Sequence, residues 1–184
     1  MNEFGHTLVF GGTGMLRKAT EWVAEHSTKT VVFGRDIDKL TRIKEKNNCI
    51  EIRILDYTDT NKLIEEINRA YKNNGPINTV IAWIHSTAPD ALSTIKSKIG
   101  TIQDEQWTLL LVKGSSANID DILASESDFP FNCHLKVVQL GFKIIGSHSR
   151  WLTHAEISNG VIESLKGNKT KTIVGTLHPW DRRP

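Results

Sequence analysis

The stretch Thr7-Leu8-Val9-Phe10-Gly11-Gly12-Thr13-Gly14-Met15-Leu16-Arg17 decides how the rest of the chain is read. An apolar run of strand length meets a glycine-rich turn. Helical spacing follows at once, with Met15, Ala19, Trp22 and Val23 on one apolar stripe. A dinucleotide phosphate site requires this order. The strand brings the backbone to the sheet edge, and glycines let it turn and approach a diphosphate. The next helix then points its amides and positive dipole end at the anion. Arg17 stands where a third glycine would complete the spacing. It either reaches a phosphate or faces solvent, and its bulk removes a usual means of close helix–strand packing.

Outward from that stretch, strand and helix patterns alternate. Thr30–Phe33 reads as a second strand, and Asp36 or Asp38 can cap a short helix carrying Ile37, Leu40 and Ile43. Ile50–Leu55 is a third strand. A helix with Leu63, Ile64, Ile67 and Ala70 on one face is stopped by Asn74-Gly75-Pro76. Thr79–Ile84 is continuously apolar, as a parallel strand covered on both faces should be. Pro89 suits the first turn of a helix running to about Ile99. Trp107–Val112 and Leu135–Leu140 are further strands, and between them one short helix and an irregular loop are expected. Phe142–Ile145 reads as a hairpin partner, Thr153–Glu156 as a capping box, and Lys171–Thr176 as a final strand. The tail from Leu177 should lie on the surface or in an interface. The alternation predicts a doubly wound α/β fold, a parallel sheet between two layers of helices.

Length and composition narrow the setting. The chain has 184 residues, enough for one domain over 1–184, with 132–184 expected to complete the sheet and cover a substrate crevice. Hydrophobic residues make up 39% and charged residues 24%, as in a soluble globular protein. A formal net charge of +2, without a basic run interleaved with aromatics, gives no reason to expect nucleic acid. Cys49 and Cys133 are too few and too far apart for a disulfide framework or a zinc site, so no metal is expected. No apolar run approaches a membrane span and no basic leader precedes the first strand, so the cytoplasm is the expected compartment.

Ligands of such sheets bind beyond the carboxyl ends of the strands, at the switch in strand order. The first strand contributes Gly11, Thr13, Gly14, Met15 and Leu16 as cofactor contacts. The second contributes Arg35, where an acid would bind the ribose of NAD and an arginine favours the 2′-phosphate of NADP. Asp56, after the third strand, either accepts from the adenine amino group or caps the next helix. The fourth strand ends Ala82-Trp83-Ile84-His85-Ser86-Thr87, with Ala82 and Trp83 expected beside the cofactor. His85 is a candidate acid or base, or a histidine bonded within its loop. Ser86 and Thr87 are candidate caps. Ser115 and Ser116 either bond a substrate carbonyl or start the next short helix. The segment His148–His154 reads as a lid with Arg150 gripping an acidic substrate, or as the approach to a capped helix with Trp151 as its hydrophobic staple.

These residues make the chain resemble the short-chain dehydrogenase/reductase superfamily, and within it the small, atypical bacterial members. The likeness spans roughly Thr7 to Ser116. It rests on Val9–Leu16, Gly34-Arg35-Asp36, Asp56 and Gly75-Pro76-Ile77-Asn78, and again on Ser149–Val161. It implies a Rossmann-type NAD(P)-binding fold with Gly11, Gly14, Arg35 and Asp56 as cofactor contacts. The departures are equally specific. The family's Asn-Asn-Ala-Gly motif is replaced by Ala82-Trp83-Ile84-His85. The only tyrosines are Tyr57 and Tyr71, and neither has a lysine four residues on. The conventional Tyr-x-x-x-Lys pair is therefore missing, although Ser116 aligns with the family serine.

Three functions follow as expectations. The first is an atypical NADP-dependent oxidoreductase acting on an unidentified small molecule, with His85 and Ser116 catalytic. The second is a non-catalytic NADP-binding sensor or regulatory module. The third is a scaffold that has lost nucleotide binding. A homodimer is expected by analogy with the fold.

Overall fold

The computed structural model describes residues 3–125 and 128–184. Its centre is a seven-stranded sheet built from β1 (His6–Phe10), β2 (Lys29–Gly34), β3 (Ile50–Ile54), β4 (Thr79–Ala82), β5 (Trp107–Lys113), β6 (Cys133–Leu140) and β9 (Lys171–Val174). The order is β3-β2-β1-β4-β5-β6-β9, and every pairing is parallel. Strand direction on the sheet reverses its progress between β1 and β4, which opens a crevice above their carboxyl ends. The remaining strands, β7 (Phe142–Ile145) and β8 (His148–Trp151), form an antiparallel hairpin outside the sheet. The hairpin expected for Phe142–Ile145 is thus present, and its partner comes from the segment read as a lid or as the approach to a capped helix.

Six helices cover the two faces: α1 (Arg17–Glu25), α2 (Ile37–Lys44), α3 (Thr60–Asn74), α4 (Ala91–Ile102), α5 (Ile119–Ala124) and α6 (His154–Lys166). Alternate residues of β1 divide the core. Leu8 and Phe10 join Leu63, Ile67, Ile95 and Ile119 under α3, α4 and α5. Val9 joins Val23, Leu40, Ile43 and Val161 under α1, α2 and α6. Burial on both faces explains why β1, β2 and β4 read as unbroken apolar runs rather than alternating ones.

Helix ends follow local chemistry. Asp36, not Asp38, caps α2 by accepting from Lys39 N–H at 3.1 Å. Asp59 caps α3 and Asn118 caps α5. The capping box at Thr153 and Glu156 is complete. Its hydrophobic staple is Leu152 against Ile157, both buried in one cluster, whereas Trp151 is 46% exposed. Helix α4 begins at Ala91, so Pro89 precedes it, and neither Ser86 nor Thr87 caps it. Lys136, buried on β6, donates its ammonium to the carbonyls of Ser164, Leu165 and Gly167, closing the carboxyl end of α6.

Candidate functional site

The turn after β1 is tightly determined. Gly11 has φ +77°, and a Cβ there would overlap the Trp83 carbonyl at the end of β4. A Cβ on Gly12 would crowd Val9 and Thr20, whose hydroxyl donates to the carbonyls of Gly12 and Leu16 at 3.0 Å. Close packing of α1 on β1 is therefore achieved at Gly12 against Thr20. The arginine at position 17 does not disturb it, since Arg17 pairs with Glu21 one turn along α1 at 2.9 Å. Gly14 faces open space.

Helix α1 starts without a side-chain cap, in contrast to α2, α3, α5 and α6, and without the first-turn acid that α2, α5 and α6 carry. Among the described residues no hydrogen bond occupies the amides of Thr13, Gly14, Met15 or Leu16. Four amides in the turn that leads into a helix, left unpaired by protein, fit an anion. The Gly11 amide is not among them. It donates to the Tyr57 hydroxyl at 2.7 Å, and that hydroxyl donates to the Phe33 carbonyl at 2.7 Å. Burial pushes the Tyr57 phenol up to about 12. Tyr57 thus ties the ends of β1 and β2 together as a neutral bridge.

Two cavities lie over the strand ends. The first, of about 460 Å³, runs from Gly11, Thr13, Gly14 and Met15 past Gly34, Arg35 and Lys39 to Tyr57, Trp83, His85 and His154. The second, of about 370 Å³, is lined by Gly114, Ser115, Ser116, Leu140, Gly141, Trp151, Leu152, Ile157 and Arg183. Met15, Trp83 and His154 line both, so the two form one groove across the strand-order switch. Ser158 of α6 donates to the Met15 carbonyl at 3.0 Å and holds this junction. A third cavity, of about 660 Å³, opens beside Ser115 and Ser116 toward β9 and the tail, away from the glycine turn.

The groove collects some of the expected residues and not others. Gly11, Thr13, Gly14, Met15, Arg35 and Trp83 line it. Leu16 and Ala82 do not: both side chains are fully buried in the core, leaving Leu16 only its amide to offer. Asp56 does not line it either, and it does not cap α3. Its carboxylate accepts from the amide and hydroxyl of Thr58 at 3.0 and 2.8 Å, contacts that hold its pKa below the usual range. The neighbouring Tyr57 is the groove residue. His85 and Ser116 line different cavities, and it is His154 that faces both.

Charge is distributed unevenly along the groove. Arg35 is exposed and has no ion-paired partner among the described residues. The adjacent acid, Asp36, is spent on α2: it accepts from Lys39 N–H, lies 3.6 Å from the Lys39 ammonium, and has its pKa lowered chiefly by that amide. Arg150 does not face a ligand. It forms a bidentate pair with Glu156 at 2.9 and 3.0 Å, and Lys143 reaches the same carboxylate at 2.6 Å. Together these cations pull Glu156 far below its ordinary range.

No family model and no curated protein sequence matches the chain. Solved structures do. A short-chain dehydrogenase/reductase family oxidoreductase of Aeromonas hydrophila aligns with TM-score 0.68 and 14% identity, over 94% of this chain and 98% of that one. A short-chain dehydrogenase/reductase of Brucella melitensis, described as a glucose/ribitol dehydrogenase, aligns with TM-score 0.70 and 11% identity over 93% and 94%. The fold is that of the short-chain dehydrogenases. Serine dehydrogenase of Escherichia coli agrees, with TM-score 0.68, 12% identity and coverage of 93% and 96%. At such identities the short-chain dehydrogenase likeness is one of architecture, and function has to be argued from the groove. Among the described residues no helix is long and apolar enough to cross a membrane.

Proposed function

We propose that this chain binds NADP along the groove and acts as an atypical oxidoreductase on a small molecule. One observation carries the reading. Two adjoining cavities, with Met15, Trp83 and His154 common to both, lead from the turn before α1 and its four unpaired amides to two serines. The amides would hold the diphosphate. Arg35 and Lys39 would take the 2′-phosphate; Asp36 also lines the cavity, but its carboxylate is engaged by the cap of α2 and by the Lys39 ammonium. The cofactor supplies hydride chemistry, and the protein supplies orientation and a proton path. Ser116 and Ser115 would donate to a substrate carbonyl. His154 is better placed than His85 to carry the proton, since it reaches the serine cavity as well as the first.

A second reading is favoured by one fact. Tyr57, the tyrosine in the groove, has its hydroxyl engaged twice between Gly11 and Phe33, so no phenol is free for carbonyl reduction. A non-catalytic NADP sensor would need only the first half of the groove. Titration separates the cases. Arg35→Ala should weaken NADP roughly tenfold to a hundredfold while NAD changes less than about twofold, with an unchanged melting temperature. Equal losses for both nucleotides would remove the 2′-phosphate assignment. Deuterium exchange from labelled NADPH into a carbonyl panel, lost in His154→Ala and kept in His85→Ala, supports the enzyme. NADP binding with no exchange over a broad panel supports the sensor.

A further inference from the structure

The second cavity has an electrostatic bias that its serines do not explain. Among the described residues its ionisable lining side chains are His154 and Arg183, and no carboxylate lines it. The other arginines nearby are occupied. Arg150 is neutralised by Glu156, and Arg182 donates to the Gly146 carbonyl at 2.9 Å, which fastens the tail to the β7–β8 hairpin. Arg183 has no ion pair among the described residues. Its guanidinium lies over the Trp151 ring at 5.1 Å and the Trp180 ring at 4.7 Å. Stacking occupies the faces of a guanidinium and leaves its N–H groups, which lie in the plane, free to donate.

We infer that the second cavity takes a substrate bearing a carboxylate, and that Arg183 is the residue that binds it. This rests on the proposed function in one respect, that the second cavity is the substrate's half of the groove. A volume of about 370 Å³ admits a small organic acid. Apolar walls from Leu140, Leu152 and Ile157 lower the local dielectric and strengthen a guanidinium–carboxylate contact. A carboxylate would pair with the exposed guanidinium and a neutral ligand of the same shape would not, which favours the acid. The tail thereby becomes part of the site, and the gripping role expected of Arg150 passes to a residue far along the chain.

The test uses the full chain saturated with NADP and the fluorescence of Trp83 and Trp151, which line the cavity. Benzoate, propionate and 2-oxobutyrate are each titrated against the corresponding neutral amide. The acids should bind roughly tenfold to a hundredfold more tightly than their amides. Arg183→Gln should erase that preference, Arg183→Lys should keep part of it, and the NADP midpoint should stay within about twofold of wild type in both. Arg182→Ala releases the tail's anchor without removing Arg183 and should leave the preference intact. If it reproduces the loss, Arg183 only clamps the tail and the inference is wrong. Acids and amides that bind alike, or no binding by any acid, also overturn it. Should NADP leave the fluorescence unchanged while acids still outbind amides, the cofactor reading falls and the carboxylate site stands.

Discussion

The two halves of the groove are made in opposite ways. The first is assembled mainly from the ends of adjacent strands and the turns that leave them, within residues 11–15, 33–39, 57 and 83–85, with His154 as its one residue from α6. The second shares Met15 and Trp83 with the first and adds four separated segments, 114–116, 140–141, 151–157 and the tail at Arg183. A site of the first kind follows once the sheet exists, because parallel pairing brings those ends together by register. A site of the second kind depends on where a hairpin and a tail settle, and the sheet alone does not fix that.

Both halves nevertheless turn on a close backbone approach, and those are the places to break them. At Gly11 a side chain would overlap the Trp83 carbonyl; at Gly141 it would overlap the Thr176 carbonyl, where Phe142 and Thr176 exchange backbone hydrogen bonds at 2.8 and 2.9 Å. Gly11→Ala adds left-handed strain to the clash and should cost about 3 kcal/mol or more, a fall of roughly 6–12 °C in melting temperature. Gly141→Ala should fall in the same range, but through the second half. Its NADP midpoint should move less than that of any stable first-half variant. Gly14→Ala meets open space and should leave the melting temperature within about 1 °C. It nonetheless brings a methyl to the rim of the first cavity, so binding, not stability, is the measurement that reports it.

The difference between the halves also marks what the sequence could tell. Strand and helix alternation is a periodicity signal, carried by runs such as Val31–Phe33 and Leu109–Val112, and it predicts the doubly wound sheet directly. The turn after β1 is legible because a strand, a glycine pair and a helical stripe are local signals, and the structure brings it and Arg35 to one cavity. At the end of β3 it is Tyr57, not Asp56, that lines the cavity, and nothing in a strand-end pattern says which of two adjacent polar residues does so. Arg150 misled because its partner, Glu156, had already been assigned to the capping box. A carboxylate that accepts from both an amide and a guanidinium cannot be counted twice from sequence. Arg183 gave no signal at all, since its role comes from two indole rings supplied by other segments.

Tyr57 sharpens the comparison at intermediate size. Removing its hydroxyl leaves the Gly11 amide and the Phe33 carbonyl without their partner at the wall of the first cavity. Tyr57→Phe should therefore destabilise by about 1–3 kcal/mol, read as a lower urea midpoint with an unchanged slope. If the bridge only ties β1 to β2, NADP affinity should fall less than about threefold. If the freed amide joins the anion cradle instead, affinity should rise in the less stable protein. Either result shows whether the first half is as rigid as its geometry suggests.

The smallest effect comes from the opposite end of β1, and it distinguishes the sheet from the groove it supports. His6 is 2% exposed; its Nδ1 meets the Gly75 carbonyl at 3.0 Å and its Nε2 has no partner. Burial, only partly offset by the Gly75 and Pro76 carbonyls, lowers its pKa from 6.5. Between the folded value and 6.5 the unfolded chain binds more protons, so stability rises with pH and is lost as pH falls through that window. The carboxylates with lowered values act in a different window. Asp36, Asp56 and Glu156 lose their contributions only as pH falls below ordinary carboxylate values of 3.8 and 4.5. Urea midpoints measured between pH 7.5 and 5.0 should thus decline in the wild type and decline less in His6→Gln. An equal slope in both would mean that the buried imidazole is solvated on protonation, and that the floor of the sheet is less rigid than the turn above it.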